Sequence, residues 1–126
     1  MVIGIGTDIL KLSHIDILMK NMEDPFFKKI YTKNEYNFGL KSANPLTYFA
    51  GRFAGKEAVF KTFNIDGNAI LLKEIEILKK ECGAPLVNLF GNAKVISEKR
   101  GIFRMELSLS YDTDYVVAYA IAIGER

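Results

Sequence analysis

The segment that follows Asn44 carries the longest helical pattern in the chain. Asn44 and Pro45 form a favourable N-cap and first-turn pair, and no other proline occurs between residues 46 and 63. The apolar side chains of this segment repeat at helical spacing and predict one buried stripe of Leu46, Phe49, Ala50, Phe53, Ala54 and Phe60. Glu57 falls on the same stripe, so a long helix is predicted whose buried face carries a carboxylate.

Shorter helices and several strands are predicted around this long helix. Ser13 is expected to cap a helix over residues 13–20, Pro25 to begin another, and a Thr32–Glu35 capping box to begin a third near Lys33. A further helix is predicted over residues 92–100, with Gly101 as its C-cap. Strands are predicted at 2–10, 74–77, 86–90, 104–110 and 115–123, and the alternation in 74–77 predicts a half-solvated strand.

Size and composition limit the classes of protein that fit this pattern. The chain has 126 residues, of which 49% are hydrophobic and 25% charged, which is typical of one globular domain over residues 1–126. We therefore expect an α+β fold in which a small antiparallel sheet packs on the long central helix and the shorter helices. The formal net charge of +2 is too small to predict a nucleic-acid partner. No leader pattern or long apolar run is found, so no membrane span and a cytoplasmic location are expected.

Two carboxylates stand in places where an unpaired charge is costly. Asp8 closes an otherwise apolar strand, and Glu57 interrupts the apolar stripe of the long helix. Lys61 follows Glu57 by four residues, the spacing of a helical ion pair, and an ordinary half-buried salt bridge would explain this pair alone. The sharper alternative is Mg²⁺, which commonly takes one or two protein carboxylates and completes its shell with water and substrate phosphate oxygens. Sequence spacing does not decide whether Asp8 and Glu57 converge.

Other candidate motifs are rejected on their residues. Gly4-Ile5-Gly6 lacks the further glycine and the lysine that phosphate-binding loops require. His14 is the only histidine, so a histidine-rich metal site is excluded, and it is expected on the surface of the first helix. Ser108 has no histidine base nearby in sequence and does not predict a hydrolytic triad.

Several segments together resemble the holo-acyl-carrier-protein synthase type of 4′-phosphopantetheinyl transferase. The segments are Gly4-Ile5-Gly6-Thr7-Asp8-Ile9, the highly specific run from Gly51 to Lys61, Thr32 to Glu35, Gly83-Ala84-Pro85, and Leu107-Ser108-Leu109-Ser110. Their order matches the family pattern along nearly the whole chain. The resemblance implies transfer of the phosphopantetheine arm of coenzyme A to a serine of an apo acyl carrier protein, with release of adenosine 3′,5′-bisphosphate.

The resemblance also implies roles for individual residues. Asp8 and Glu57 would hold Mg²⁺, and Lys61 would neutralise charge on the diphosphate. Coenzyme A would be held by Arg52, Lys56, Lys61 and Ser108. The resemblance to this short type also implies a homotrimer. The carrier protein would meet the first helix through Lys11, His14 and Lys20. These three residues are equally typical of a solvated helix face.

The chain departs from the family pattern at two positions that histidine commonly occupies. They are Glu106 and Tyr111 here, and a carboxylate at position 106 would repel a phosphate unless it points away. Two other hypotheses therefore stay open. One is a non-catalytic trimeric module that binds coenzyme A or carrier protein, and the other is a Mg²⁺-dependent enzyme that acts on another nucleotide diphosphate.

Overall fold

Helices and strands follow one another nearly in the predicted order. The computed structural model describes residues 1–125 of the chain. Its elements are β1 (Val2–Lys11), α1 (Leu12–Met19), α2 (Pro25–Ile30), α3 (Lys33–Lys41), α4 (Pro45–Thr62), a 3-10 turn (Leu72–Glu74), β2 (Ile75–Lys79), β3 (Pro85–Leu89), α5 (Gly91–Lys99), β4 (Ile102–Tyr111) and β5 (Tyr115–Gly124). The predicted α+β class is confirmed.

The strands form two antiparallel sheets rather than the single small sheet that was expected. β5 lies between β1 and β4 in a three-stranded sheet, and β2 and β3 form a separate hairpin. The three-stranded sheet packs one face on α4, where Ala118, Ala120 and Ala122 of β5 are fully buried. The hairpin packs β2 against a different side of α4, and its strand β3 also contacts β4 of the three-stranded sheet.

Local hydrogen bonds explain why two of the helices begin where they do. The Asn44 side chain accepts from the Thr47 amide at 3.3 Å and begins α4. The Thr32 hydroxyl accepts from the Glu35 amide at 3.2 Å, and the Glu35 carboxylate accepts from the Thr32 amide at 2.8 Å. Both predicted caps are confirmed, since each satisfies amides that a helix leaves without partners in its first turn.

Small residues let β1 lie directly on the backbone of α4. Gly4 and Gly6 share a face of β1, because residues two apart in a strand point to the same side. A Cβ atom at Gly6 would stand 1.9 Å from the carbonyl oxygen of Ala58, and one at Gly4 would stand 2.0 Å from that of Thr62. The next residue on this face is Asp8, whose carboxylate is thereby directed toward α4.

Two local predictions are wrong. Ser13 does not cap α1, because β1 runs to Lys11 and the helix begins at Leu12, whose amide instead donates to the carbonyl of Asp114 at 2.8 Å. β2 is not half-solvated and does not include Glu74, which belongs to the preceding 3-10 turn. Glu76 is only 4% exposed, and the alternation of acidic and apolar residues was misleading because α3 covers this side of the strand.

Replacement of Gly6 by alanine is expected to lower the free energy of unfolding by about 3 kcal/mol, the upper part of the usual range for overpacking. The added methyl group meets backbone of α4, which cannot move aside as a flexible side chain would. Urea denaturation followed by circular dichroism measures the change. Gly67→Ala is the matched control, because no atom lies within 4 Å of its added Cβ. A Gly6→Ala protein as stable as this control would show that the contact between β1 and α4 is looser than described.

Candidate active site

Asp8, Glu57 and Lys61 meet where β1 crosses α4. The Lys61 ammonium lies 3.7 Å from Oδ1 of Asp8 and donates to the carbonyl of Thr7 at 2.9 Å. Glu57 lies one turn before Lys61 on α4, half-buried like Asp8. The three residues that sequence spacing left apart are thus brought together by the close packing of β1 on α4.

Both carboxylates of this group are held in surroundings that disfavour their ionised forms. Burial raises the pKa of Asp8, and the charge and hydrogen bond of Lys61 oppose the rise. The pKa of Glu57 is raised first by burial and then by the Asp8 carboxylate, with Lys61 again opposing. One lysine therefore serves two acids, and a further positive charge beside them would be favourable.

A polar cleft of about 460 Å³ lies between α4, β4 and the β2–β3 turn. Arg52, Lys79 and Ser108 line it, together with the turn Gly83-Ala84-Pro85 and Tyr111. A larger cleft of about 650 Å³ lies along α2 and α3 and contains none of the residues predicted for the site. The smaller cleft is the better candidate for a phosphate-bearing ligand, because Arg52 and Lys79 line it without any acidic side chain, whereas Glu23 and Asp24 line the larger cleft.

Arg52 is fixed in this cleft by contacts on both sides. Its Nε donates to the carbonyl of Ile77 at 3.3 Å, and its guanidinium lies 3.9 Å from the centre of the Tyr48 ring. Tyr111 closes the cleft against α4, where a Cβ at Gly51 would stand 2.1 Å from its hydroxyl oxygen. Burial raises the pKa of Tyr111 and Arg52 partly opposes this, so the phenol is a neutral donor at neutral pH.

The structure corrects the predicted role of Lys56. This side chain is fully buried, its ammonium lies 2.6 Å from Oε1 of Glu35, and it donates to the carbonyls of Ile75 and Leu72. Burial lowers the pKa of Lys56, and the Glu35 carboxylate opposes that shift. A phosphate has no access to an ammonium that is enclosed in this way, so Lys56 is not a coenzyme A contact in this structure.

Glu106 and Ser108 lie on the face of the three-stranded sheet that points away from α4. The Glu106 carboxylate lies 3.3 Å from Nε of Arg104, and Glu106 is not among the residues that line the polar cleft. Lys11, His14 and Lys20 are all exposed. Tyr48 and Lys79 were not predicted from the sequence as residues of the site. The four-residue spacing of Tyr48 and Arg52 on one helix could have indicated the first, whereas nothing local marks the second.

Asp8 and Glu57 are the residues for which the sequence predicted a metal ion. No three or more His, Cys, Asp or Glu side chains converge within residues 1–125 on a common metal position. Asp8 and Glu57 provide two carboxylate ligands. This number is too small for a site built from protein ligands alone, but Mg²⁺ commonly binds one or two protein carboxylates.

No helix in the described part of the chain combines the length and the hydropathy that crossing a bilayer requires.

Comparison with known proteins gives a consistent result along nearly the whole chain. Residues 4–120 match the model of the 4′-phosphopantetheinyl transferase superfamily. A holo-[acyl-carrier-protein] synthase of Caldanaerobacter subterraneus is 36% identical over 124 residues, which are 98% of this chain and 97% of the relative. The crystal structure of holo-[acyl-carrier-protein] synthase from Neisseria meningitidis has a TM-score of 0.86 at 32% identity and covers 98% of this chain and 99% of its own.

A further similar structure contains a ligand. It is a holo-(acyl-carrier-protein) synthase from Bacillus anthracis in complex with CoA (3′,5′-ADP), with a TM-score of 0.81 at 26% identity and 99% coverage of both chains. The chain described here belongs to the 4′-phosphopantetheinyl transferase superfamily. Within that superfamily its relatives are holo-[acyl-carrier-protein] synthases.

Glu57→Gln is expected to melt at the same temperature as the unmodified protein at pH 7, or at a higher one. The pKa of Glu57 is higher in the folded protein than in the unfolded chain. Its ionised form therefore costs stability, a cost that is absent below the unfolded-state pKa and complete above the folded-state pKa. The advantage of the variant should vanish near pH 4 and grow toward pH 7, as thermal unfolding at several pH values would show. A large loss of stability at pH 7 would mean that Glu57 is held by a structural ion pair instead.

Proposed function

We propose that residues 1–126 form one 4′-phosphopantetheinyl transferase domain. It transfers the 4′-phosphopantetheine group of coenzyme A to a serine of an apo acyl carrier protein and releases adenosine 3′,5′-bisphosphate. The observation that carries this proposal is the convergence of Asp8, Glu57 and Lys61 in a chain of this superfamily. The similar synthase with CoA (3′,5′-ADP) supports the choice of substrate. A cytoplasmic location stays a prediction from the sequence.

Mg²⁺ is the cofactor that fits the two carboxylates. Asp8 and Glu57 offer hard oxygen ligands. Burial raises the pKa of both, and the Asp8 carboxylate raises the pKa of Glu57 further, so a divalent cation would favour the ionised form of each. The bound ion would stabilise negative charge on the substrate diphosphate. Lys61 adds to this, because an ammonium has three donors and can contact Asp8 and Thr7 while donating to a phosphate oxygen.

The polar cleft is proposed to hold coenzyme A phosphates. Arg52 presents a planar guanidinium that Tyr48 and the Ile77 carbonyl hold in place, and such a group binds phosphate with two parallel hydrogen bonds. Tyr111 adds a hydroxyl donor, Lys79 adds a second cation, and Ser108 borders the cleft at the outer face of the sheet. Positioning and electrostatic stabilisation by fixed groups supply most of the acceleration in reactions of this class.

The carrier protein is proposed to dock on α1. Lys11, His14 and Lys20 are exposed and can meet an acidic surface. α1 begins at Leu12, directly after the strand that carries Asp8. Lys11 is three residues from Asp8 along that strand, or about 10 Å, so a carrier protein on α1 would bring its serine close to the carboxylates.

A homotrimer is proposed because the outer face of the three-stranded sheet is apolar and uncovered. Ile5 and Ile9 of β1 are 58% and 66% exposed, and Val117 and Tyr119 of β5 are 38% and 47% exposed. These residues share one face of the sheet. Contiguous exposed apolar surface of this kind marks an interaction site, and the family resemblance implies trimers. Ser108 lies on the same face, opposite Tyr119, so the neighbouring subunit would border the cleft.

The transfer reaction is tested by incubating the protein with apo carrier protein, coenzyme A and Mg²⁺, followed by mass spectrometry of the carrier. We expect the carrier to gain one phosphopantetheine group, and Glu57→Gln to lower kcat by at least about 100-fold while the protein stays folded. Glu98→Gln, at an exposed glutamate on α5, is the matched control and should leave the rate unchanged.

Each alternative gives a different result in the same assay. An unmodified carrier together with measurable coenzyme A binding would indicate a non-catalytic module. Coenzyme A cleavage that does not need a carrier protein would indicate an enzyme acting on nucleotide diphosphates.

Tyr119→Glu is expected to reduce the assembly to monomers, because it places a charge at the centre of the apolar face that copies would share. Light scattering after gel filtration should give three times the 14.2 kDa chain mass for the unmodified protein and the chain mass for the variant. Phe90→Glu is the control, since it makes the same kind of change at an exposed aromatic residue outside the three-stranded sheet. If the unmodified protein is already a monomer, the trimer proposal is wrong.

A further inference from the structure

The buried charged side chains of residues 1–125 all lie in one region, between α3, α4 and β2. They are Glu35 and Lys56, which are 0% exposed, Glu76, which is 4% exposed, and Arg52, which is 6% exposed. Two acids and two bases balance one another. Burial of a charge is expensive unless it is paired and hydrogen-bonded, so this cluster needs a reason beyond the filling of space.

The cluster occupies the free edge of β2. This strand pairs with β3 on one side only, and its other edge would present amide and carbonyl groups without partners. The Glu35 carboxylate accepts from the Ile77 amide at 2.8 Å, Arg52 donates to the Ile77 carbonyl, and Lys56 donates to the Ile75 carbonyl. Side chains of α3 and α4 thus take the place of a neighbouring strand.

The spacing of these contacts fixes the register of α4 against β2. Arg52 and Lys56 are four residues apart on the helix, a rise of about 6 Å. Ile77 and Ile75 are two residues apart on the strand, about 6.6 Å. The two intervals match, so both cations reach backbone carbonyls at once, and a shift by one residue on either element would lose both contacts.

Glu76 ties the same edge to further elements. Its carboxylate accepts from the Thr32 hydroxyl at 2.6 Å and from the side-chain amides of Asn34 and Asn88 at 3.4 and 3.3 Å. Asn88 is on β3, and Thr32 and Asn34 are at the start of α3. The β2–β3 hairpin is therefore held to α3 and α4 by hydrogen bonds, and its turn, Gly83-Ala84-Pro85, lines the polar cleft.

The cluster faces both parts of the proposed site. Lys56 directly precedes Glu57, so the rotation of α4 that buries Lys56 also sets the direction of Glu57 toward Asp8. Arg52 belongs to the cluster through its Nε and to the cleft through the rest of its guanidinium. A helix that was rotated or shifted would move the carboxylates and the cleft relative to each other.

We propose that Glu35, Lys56 and Glu76, together with the Nε contact of Arg52, are positioning residues for the transfer reaction: they hold α4 in one rotation and register on the edge of β2 and so align Glu57 with the cleft. This inference rests on the proposed function. A purely structural cluster would affect only stability. A positioning cluster also affects the rate of transfer per folded molecule.

The test is the double variant Glu35→Gln/Lys56→Met, assayed with Mg²⁺, coenzyme A and apo carrier protein at a temperature where circular dichroism shows it folded. Gln keeps the shape of Glu, and Met keeps most of the unbranched stem of Lys. Together the two changes leave no unpaired buried charge, which is the usual cause of unfolding when one partner is removed. We expect kcat to fall at least about tenfold, and the Mg²⁺ concentration for half-maximal rate to rise at least about threefold.

Two controls separate positioning from stability. Glu23→Gln/Lys29→Met makes the same changes on exposed side chains and should behave like the unmodified protein. Ile70→Ala removes buried apolar contacts outside the cluster, so it should lower the melting temperature without changing kcat or the Mg²⁺ dependence at low temperature.

The proposal is overturned if the folded double variant keeps kcat and the Mg²⁺ dependence within about twofold of the unmodified protein. If the double variant does not fold, Glu76→Gln takes its place, because it leaves the Glu35–Lys56 pair intact and the substituted amide retains an acceptor oxygen for the Thr32 hydroxyl. An unchanged kcat in that variant overturns the proposal equally. An unmodified protein that transfers nothing would instead refute the proposed function.

Discussion

The contact between the backbones of β1 and α4 is the constraint on which the rest of the site depends. Gly4 and Gly6 remove side chains from the face of β1 that meets the helix, and Ala118, Ala120 and Ala122 keep the side chains of β5 small on the same face. The helix therefore lies at the smallest distance that backbone atoms allow. At the end of this glycine row stands Asp8, the first residue on that face with a polar side chain.

The side of α4 that contacts the β2–β3 hairpin requires long polar side chains instead of small residues. Small residues would leave the free edge of β2 with buried amides and carbonyls, and an unsatisfied buried polar group costs about 1–3 kcal/mol. Arg52, Lys56 and Glu35 satisfy that edge. α4 thus contacts the three-stranded sheet closely because the facing residues are small, and it contacts the β2–β3 hairpin through charged side chains. Both contacts limit the rotation of α4.

Much of this architecture could be predicted from local signals. The Asn44 cap and the Thr32–Glu35 capping box depend only on neighbouring residues, and both were correct. The buried state of Lys56 and Glu76 could not be predicted, because it depends on which distant element covers them. The Thr32–Glu35 box contained a hint, since its glutamate completes the cap with Oε1 and still has Oε2 for the Ile77 amide. Pairing across more than forty residues is outside the reach of local spacing.

Lys56 and Glu57 are neighbours on α4, but the structure places them in very different surroundings. Lys56 has three hydrogen-bonding partners for its three donors and is fully enclosed, so it has no capacity left for a ligand. Glu57 is only half-buried, it is repelled by Asp8, and it shares one lysine with that residue. A protein gains no stability from holding two acids in this way. Such an arrangement persists where an additional positive charge, brought by an ion or a substrate, completes it, and perturbed carboxylates of this kind cluster at functional sites. The proposed catalytic residues of α4 are therefore those whose charges the fold leaves unbalanced.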